Sequence, residues 1–497
     1  MRDIDIAHGE ALAAKYCQSC HMLPSPDELD AVTWEKGVLP QMGPRLGVFE
    51  YGGQRYPNNS SDPNVGRGFY PSEPLLSPEE WGDIITYYTA LAPDSLKIPL
   101  RREALRVDTT KFRIVWPASA MPARILPAGT PPATCFIQYD SSLHQVMTSD
   151  IIGHSFTRWD EELRSLSSLT IPGAVVAMQE DASGLWACNI GAFQPNNAQA
   201  GSIDRWDPSR STFKDMIKGL MRPVHMAVAD LNGDGREDIV VCEFGYIKGE
   251  LSWWENKGKG SYEKHVLRST PGAIRVIIDD NNRDGRPDIW VLFAQGEEGI
   301  FLYTNKGGGR FEEREVLRFP PSYGSTYFEL TDMDGDGRKD ILYTCGDNGD
   351  FSTVLKPYHG VYIFAGDSAL TFPQRYFFPM NGCYRAMAVD MDRDGLPDIA
   401  AIAYFTDYEH HPEEGFVYLH HKNVRKAGLQ GKGLDFEGYT VPGTEAGRWI
   451  SMDIRDVDGD GRPDILLANC SVGPAFNRGQ TDWKKGPPFI LLKNGRN

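Results

Sequence analysis

The sequence predicts a mostly β chain, a seven-bladed β-propeller preceded by a small all-α domain. Three observations predict it. A nine-residue carboxylate motif followed by an apolar strand-like run occurs five times between residues 230 and 464. Glycine and proline are plentiful, at 51 and 34 of 497 residues, as many short strands joined by tight turns require. The first 92 residues lack the repeat and carry helical periodicity instead.

The repeated unit reads Asp-x-Asn/Asp-x-Asp-Gly-x-x-Asp. Its copies place side-chain oxygens at Asp230, Asn232, Asp234 and Asp238, and at Asp280, Asn282, Asp284 and Asp288. The next two place them at Asp332, Asp334, Asp336 and Asp340, and at Asp390, Asp392, Asp394 and Asp398. The fifth has Asp456, Asp458, Asp460 and Asp464. At position 7 the backbone carbonyls of Arg236, Arg286, Arg338, Leu396 and Arg462 are further candidate ligands. Such oxygens can surround a hard cation the size of Ca²⁺, and glycine at position 6 permits the sharp turn. A polar hairpin turn would explain one copy. Eighteen Asp side chains in five loops would repel one another without a cation. Up to five Ca²⁺ ions are expected, rather than Mg²⁺, because the ligands are many and protein-derived. An EF-hand is disfavoured because strand-like sequence flanks the loops.

These motifs resemble the FG-GAP/VCBS repeats of integrin α-subunit propellers and of many bacterial secreted proteins. The resemblance implies that each loop joins the two innermost strands of a four-stranded blade. In the third unit the strands are expected near 224–230, 238–244, 250–256 and 261–267. Two degenerate units precede the five, one starting near Cys135 and one spanning Val175–Asn189. Both lack the full ligand set, so no metal is expected there. Two and five make seven blades over residues 111–497. The last unit supplies only three strands, and 111–117 is expected to complete it, which hides exposed edges. Residues 93–110 read as linker.

Within residues 1–92, Cys17-Gln18-Ser19-Cys20-His21 is the C-x-x-C-H pattern of covalent haem attachment. Two thiols about one helical turn apart reach the two vinyl groups of one haem, and the adjacent His21 addresses the iron from the same side. A zinc site would need two further Cys or His ligands nearby. The next Cys is Cys135 and the next His is His144. Met22 adjoins His21 and cannot reach the opposite haem face. Met42 is therefore the favoured sixth ligand, against the alternative that it only packs. A His/Met pair suits electron transfer. Residues 77–91 read as a helix, with Ser77 as N-cap, Pro78 at N1, and Trp81, Ile84, Ile85, Tyr88 and Leu91 at helical spacing. The stretch 5–92 resembles a small class I-type cytochrome c, which implies one covalent haem c.

The formal net charge of −17 excludes nucleic acid as a partner. No run of 18 apolar residues exists, so no membrane span is expected. The cofactor and the repeats point to an exported, periplasmic or extracellular protein whose signal is not in this numbering. Cys135, Cys188, Cys242, Cys345, Cys383 and Cys470 read as small buried hydrophobes, though a Cys135–Cys383 disulfide stays open.

The function expected is electron transfer, with the propeller as a Ca²⁺-stabilised docking platform for a redox protein partner or a larger assembly. One alternative is an oxidoreductase with a substrate or second cofactor at the propeller channel, where His225, Arg275, Tyr327 and Arg385 begin the inner strands. Another is an adhesion or assembly module. No nucleophile elbow, P-loop, H-E-x-x-H or dinucleotide fingerprint appears, so whether the chain is an enzyme stays open. The run Asp407–Glu414 reads as a solvated acidic loop, and 346–360 as an insertion.

Overall fold

The computed structural model describes residues 2–98, 104–118, 130–181, 184–349, 351–422, 433–473 and 482–495. Seven sheets of four or five strands follow one another along the chain as a mostly β, seven-bladed propeller. Blade 1 spans Thr134–Thr170, blade 2 Val175–Leu220, blade 3 Pro223–Arg268 and blade 4 Ala273–Arg318. Blade 5 spans Ser325–Pro379 and blade 6 Cys383–Thr440, with Arg106–Val107 added in parallel at its edge. Blade 7 takes three strands from Trp449–Asn494, and Phe112–Val115 pairs with the last of them as its outer strand.

Side chains from neighbouring blades pack together into the core. Met226, Val228, Ile239 and Val241 of blade 3 meet Trp186, Cys188 and Ile203 of blade 2. Second strands are buried along their whole length, as in Asp238–Glu243 and Asp288–Phe293, because neighbouring blades cover both faces. The ring closes where blade 7 meets blade 1. There the Tyr139 N–H donates to Asp453 Oδ2 at 2.8 Å and the Ser471 N–H to Pro132 O at 2.9 Å. All eight cysteines are free, and the six of the propeller are buried.

The N-terminal region contains two principal helices, Arg2–Tyr16 and Pro78–Leu91. Ser77 caps the second through a capping box, since Ser77 Oγ accepts from Glu80 N and Glu80 Oε2 accepts from Ser77 N. Trp34, Trp81, Ile84 and Tyr88 form its core with Leu12 and Ala13. The helices cross at Gly9, where a Cβ would lie 2.1 Å from the Asp83 carbonyl oxygen. Gly9→Ala must therefore push the helices apart. It is expected to destabilise this region by roughly 1–3 kcal/mol, read as a lower midpoint of the helical circular-dichroism signal.

The helical region sits on the face where the inner strands begin. Glu28 is the main bridge: its carbonyl accepts from Tyr358 OH at 3.0 Å and its carboxylate from Ser322 Oγ at 2.5 Å. Val354 packs on the helical core, and Asn197 Nδ2 donates to Asp62 Oδ2 at 2.8 Å.

Candidate functional site

Helix Arg2–Tyr16 runs directly into a short 3₁₀ turn, Cys17–Ser19, and this turn presents Cys17, Cys20 and His21 together. His21 Nδ1 lies 2.8 Å from the Met22 carbonyl oxygen. A carbonyl can only accept, so Nδ1 carries the proton and Nε2 keeps its lone pair. Burial lowers the His21 pKa and favours this neutral form. Burial also pushes the Cys17 thiol up to about 11, so it is neutral.

Cys17, Cys20 and His21 open on a cavity of about 1700 Å³ between the helical region and the propeller. Met42 lines the same cavity and Met22 does not. Leu29, Trp34, Leu39, Leu46 and Tyr88 supply apolar wall. Typical small-molecule pockets hold roughly 300–1,000 Å³, so there is room for a haem and for a second group. Two thiols, an imidazole with a free nitrogen and a thioether on one apolar cavity fit the donor set of a covalent haem.

The cavity floor is the mouth of the propeller channel. Four of its residues are His225, Arg275, Tyr327 and Arg385, from the inner strands of blades 3 to 6. The guanidinium carbons of Arg275 and Arg385 lie 3.9 and 4.9 Å from the Tyr327 ring centroid. Tyr327 OH donates to Glu329 Oε1 at 2.8 Å. Glu329 and Asp453 had no part in the sequence reading of the channel. The available signal was an acidic residue three places before the first motif Asp, in an otherwise apolar strand.

The carboxylate loops lie at the opposite ends of the inner strands. In each, glycine at position 6 has φ between 81° and 84°. That left-handed conformation is open to glycine at little cost. The first carboxylate accepts the N–H of that glycine, at 2.8 Å in Asp230–Gly235 and 2.9 Å in Asp390–Gly395. Carboxylate oxygens of Asp332, Asp334 and Asp336 lie within 4.8 Å of one another, as do those of Asp390, Asp392 and Asp394. The loop residues at positions 1, 3 and 5 are thus brought together.

The position-9 residues do more than sequence reasoning assigned. Asp238, Asp288, Asp340, Asp398 and Asp464 are fully buried. Each accepts from a loop N–H and from an N–H in or just after the third strand, as in Asp340 with Met333 at 2.8 Å and Gly366 at 2.9 Å. They clamp loop to blade; Asp398 is engaged further, by Tyr418 OH at 2.6 Å and His420 Nδ1 at 3.1 Å. Neighbouring blades also grip the loops: Asn305 Nδ2 donates to Leu231 O and Asn494 Nδ2 to Met391 O, both at 2.8 Å. Basic side chains approach all five loops: Arg236, Arg286 and Arg338 pair with Asp234, Asp284 and Asp336 of their own loops, Lys493 Nζ lies 3.2 Å from Asp458, and His420 Nδ1 lies 3.4 Å from Asp392.

The family model described as the FG-GAP-like repeat matches residues 230–291 and 280–343. The chain carries FG-GAP-like repeats. The match covers the loops of the first three FG-GAP-like units, Asp230–Asp238, Asp280–Asp288 and Asp332–Asp340. No curated protein matches the chain in sequence. Among solved structures, the Neurospora crassa Pan2 WD40 domain is 12% identical with a TM-score of 0.47, over 79% of this chain and 99% of that one. The Pseudomonas aeruginosa periplasmic gluconolactonase PpgL is 11% identical with a TM-score of 0.41, over 63% of this chain and 85% of that one.

Of the two remaining sequence candidates, the run at 407–414 is partly buried. Asp407 and Glu414 are buried, and His410 Nδ1 lies 2.9 Å from Asp407. The 346–360 segment covers part of the cavity and meets the helical region through Val354 and Tyr358. Near it lies Glu298, fully buried, whose Oε1 accepts from Ser325 N at 2.5 Å. Burial pushes its carboxyl up to about 8. An unfolded glutamate titrates near ~4.3, so the folded chain holds a proton that the unfolded chain loses in between. Stability from this group is full below the unfolded value and is lost as pH rises through about 8. Glu298→Gln removes that dependence. The excess of its thermal midpoint over wild type is expected to grow by several degrees between about pH 5 and about pH 8; a constant difference would contradict this assignment.

Proposed function

We propose that the chain is an exported c-type cytochrome that transfers electrons, with its propeller as a Ca²⁺-stabilised docking platform for a redox protein partner or larger assembly. One observation carries the reading. Cys17, Cys20, His21 and Met42 all line one apolar cavity, and His21 keeps Nε2 basic by donating Nδ1–H to the Met22 carbonyl. Cys17 and Cys20 would anchor the haem, and His21 and Met42 would ligate its iron. A haem held there supplies a reversible one-electron Fe(III)/Fe(II) couple.

The protein's own part is to exclude water and fix the ligands. Trp34 and Tyr88 pack with ring centroids 4.3 Å apart on the cavity wall, and Trp34 Nε1 is anchored on the Pro26 carbonyl at 2.8 Å. A rigid, apolar wall keeps reorganisation small when charge changes. The FG-GAP-like loops face away from the cavity, so metal at those positions would stiffen the platform without touching the redox site. Among the described residues, no helix is long and apolar enough to cross a membrane. Direct electrochemistry of the exported chain tests the reading: one reversible one-electron wave is expected, and an electrochemically silent protein would overturn it.

A further inference from the structure

The cavity floor carries two guanidinium groups that the rest of the protein leaves incompletely used. Arg275 donates Nε to Phe328 O at 2.8 Å, and its Nη1 lies 3.2 Å from His225 Nε2, which leaves Nη2. Arg385 donates Nη1 to Met452 O at 2.8 Å, which leaves Nε and Nη2. Neither guanidinium is ion-paired with a carboxylate of the described residues. Glu329 is the nearest acidic group in the stack, and its two oxygens are engaged by Tyr327 OH at 2.8 Å and Ala388 N at 3.1 Å. Asp453, also on the wall, lies 4.0 Å from Arg455 and accepts from Tyr139 N. One ring nitrogen of His225 faces Arg275 Nη1 and the other faces Val276 N–H at 3.4 Å, so one of them must accept and the imidazole is neutral and adds no charge; burial and the two arginines hold its pKa well below the usual value.

Two part-buried cations on one tyrosine ring repel each other and lose hydration. Glu329 offers at most one negative charge beside them, so a further counter-charge would complete the balance. The backbone carbonyls of Phe328 and Met452 hold the two side chains in place, so little ordering remains to be done on binding. The planar fork of free N–H donors suits an oxyanion. The helical region covers the mouth, so the ligand must be small, and the cavity has space for it beside a haem.

We propose that Arg275 and Arg385, on the Tyr327 ring, form a binding site for a small oxyanion-bearing molecule on the floor of the cavity. The site rests on propeller residues and not on the haem reading. It gives a chain of net charge −17 an anion site in the cavity that also holds His21.

The test is isothermal titration of the full chain at fixed ionic strength, with inorganic phosphate and with succinate as the two probes, and chloride as the control salt. Saturable binding of one probe is expected, and which one it is separates phosphate from carboxylate recognition. Arg385→Gln and Arg275→Gln are each expected to weaken binding tenfold or more. If Arg385→Gln does not fold, Arg385→Lys keeps the charge but loses the fork, and is expected to weaken binding as well. Arg310→Gln, at an exposed arginine outside the cavity, is the control and is expected to bind as wild type does. The proposal is overturned if neither probe binds saturably to wild type. It is equally overturned if binding survives both arginine substitutions unchanged, or is weakened as much by Arg310→Gln.

Discussion

Chelation with EDTA is expected to lower the thermal midpoint of the protein by about 10 °C or more. Five loops of one design contribute. In each, the first carboxylate caps the turn on the position-6 glycine, and in blades 5 and 6 three carboxylates converge within 4.8 Å. Clustered carboxylates repel, and the pairs of Arg236, Arg286 and Arg338 with Asp234, Asp284 and Asp336 offset only part of that repulsion, so the native loop geometry and an ion would support each other. An ion present at about a hundred times its Kd stabilises the native state by ~2.7 kcal/mol per site. The loops are also clamped to the blades through Asp238, Asp288, Asp340, Asp398 and Asp464, and to neighbouring blades through Asn305 and Asn494. Loosening one loop therefore loosens a joint between blades. Added Ca²⁺ is expected to restore the midpoint, and Mg²⁺ to do so poorly, because Mg²⁺ demands octahedral geometry and keeps its waters. Scanning calorimetry with and without EDTA reads this directly, and an unchanged midpoint would mean that the loops hold no structural ion.

Met42→Ala is expected to lower the reduction potential by on the order of a hundred millivolts or more, since axial ligands move haem potentials over roughly 0.8 V. The same substitution should abolish the thioether-to-iron(III) absorption band at the red edge of the visible spectrum. Met22→Ala is the control. Met22 adjoins His21 and does not line the cavity, and only its backbone carbonyl engages His21, which alanine retains. Spectroelectrochemical titration distinguishes the two. Equal potentials in wild type and Met42→Ala would assign Met42 a packing role only.

The parts of this structure differ in how far they were legible in the sequence. Five of the seven blades were legible because each of their repeats writes its own turn: a glycine that must take φ near 80° is flanked by carboxylates at fixed offsets, then by an apolar strand; the first two blades were inferred from strand-like runs without that turn. The helix at 78–91 announced itself through Ser77, Pro78 and Glu80, which satisfy its first N–H groups locally. What could not be read depends on residues far apart. The Arg106–Val107 edge strand joins blade 6 through Tyr439 and Thr440, with no pattern of its own in two residues. The bridge from Glu28 to Ser322 and Tyr358 spans about three hundred residues of chain. The shared cavity exists only because that bridge seats the helical region over the channel mouth. The position-9 aspartates illustrate a subtler limit. Their spacing marks them as oxygen donors, yet their burial and their two backbone partners appear only once the third strand is in place.

The proposed electron transfer requires one covalent haem, attached through Cys17 and Cys20. The pyridine haemochrome spectrum of the protein, produced with export and haem maturation and then denatured and stripped of free haem, reads that attachment. One c-type haem per chain is expected, falling to none in the Cys17→Ser, Cys20→Ser variant. A wild-type protein that matures under those conditions without attached haem would rule out a c-type cytochrome.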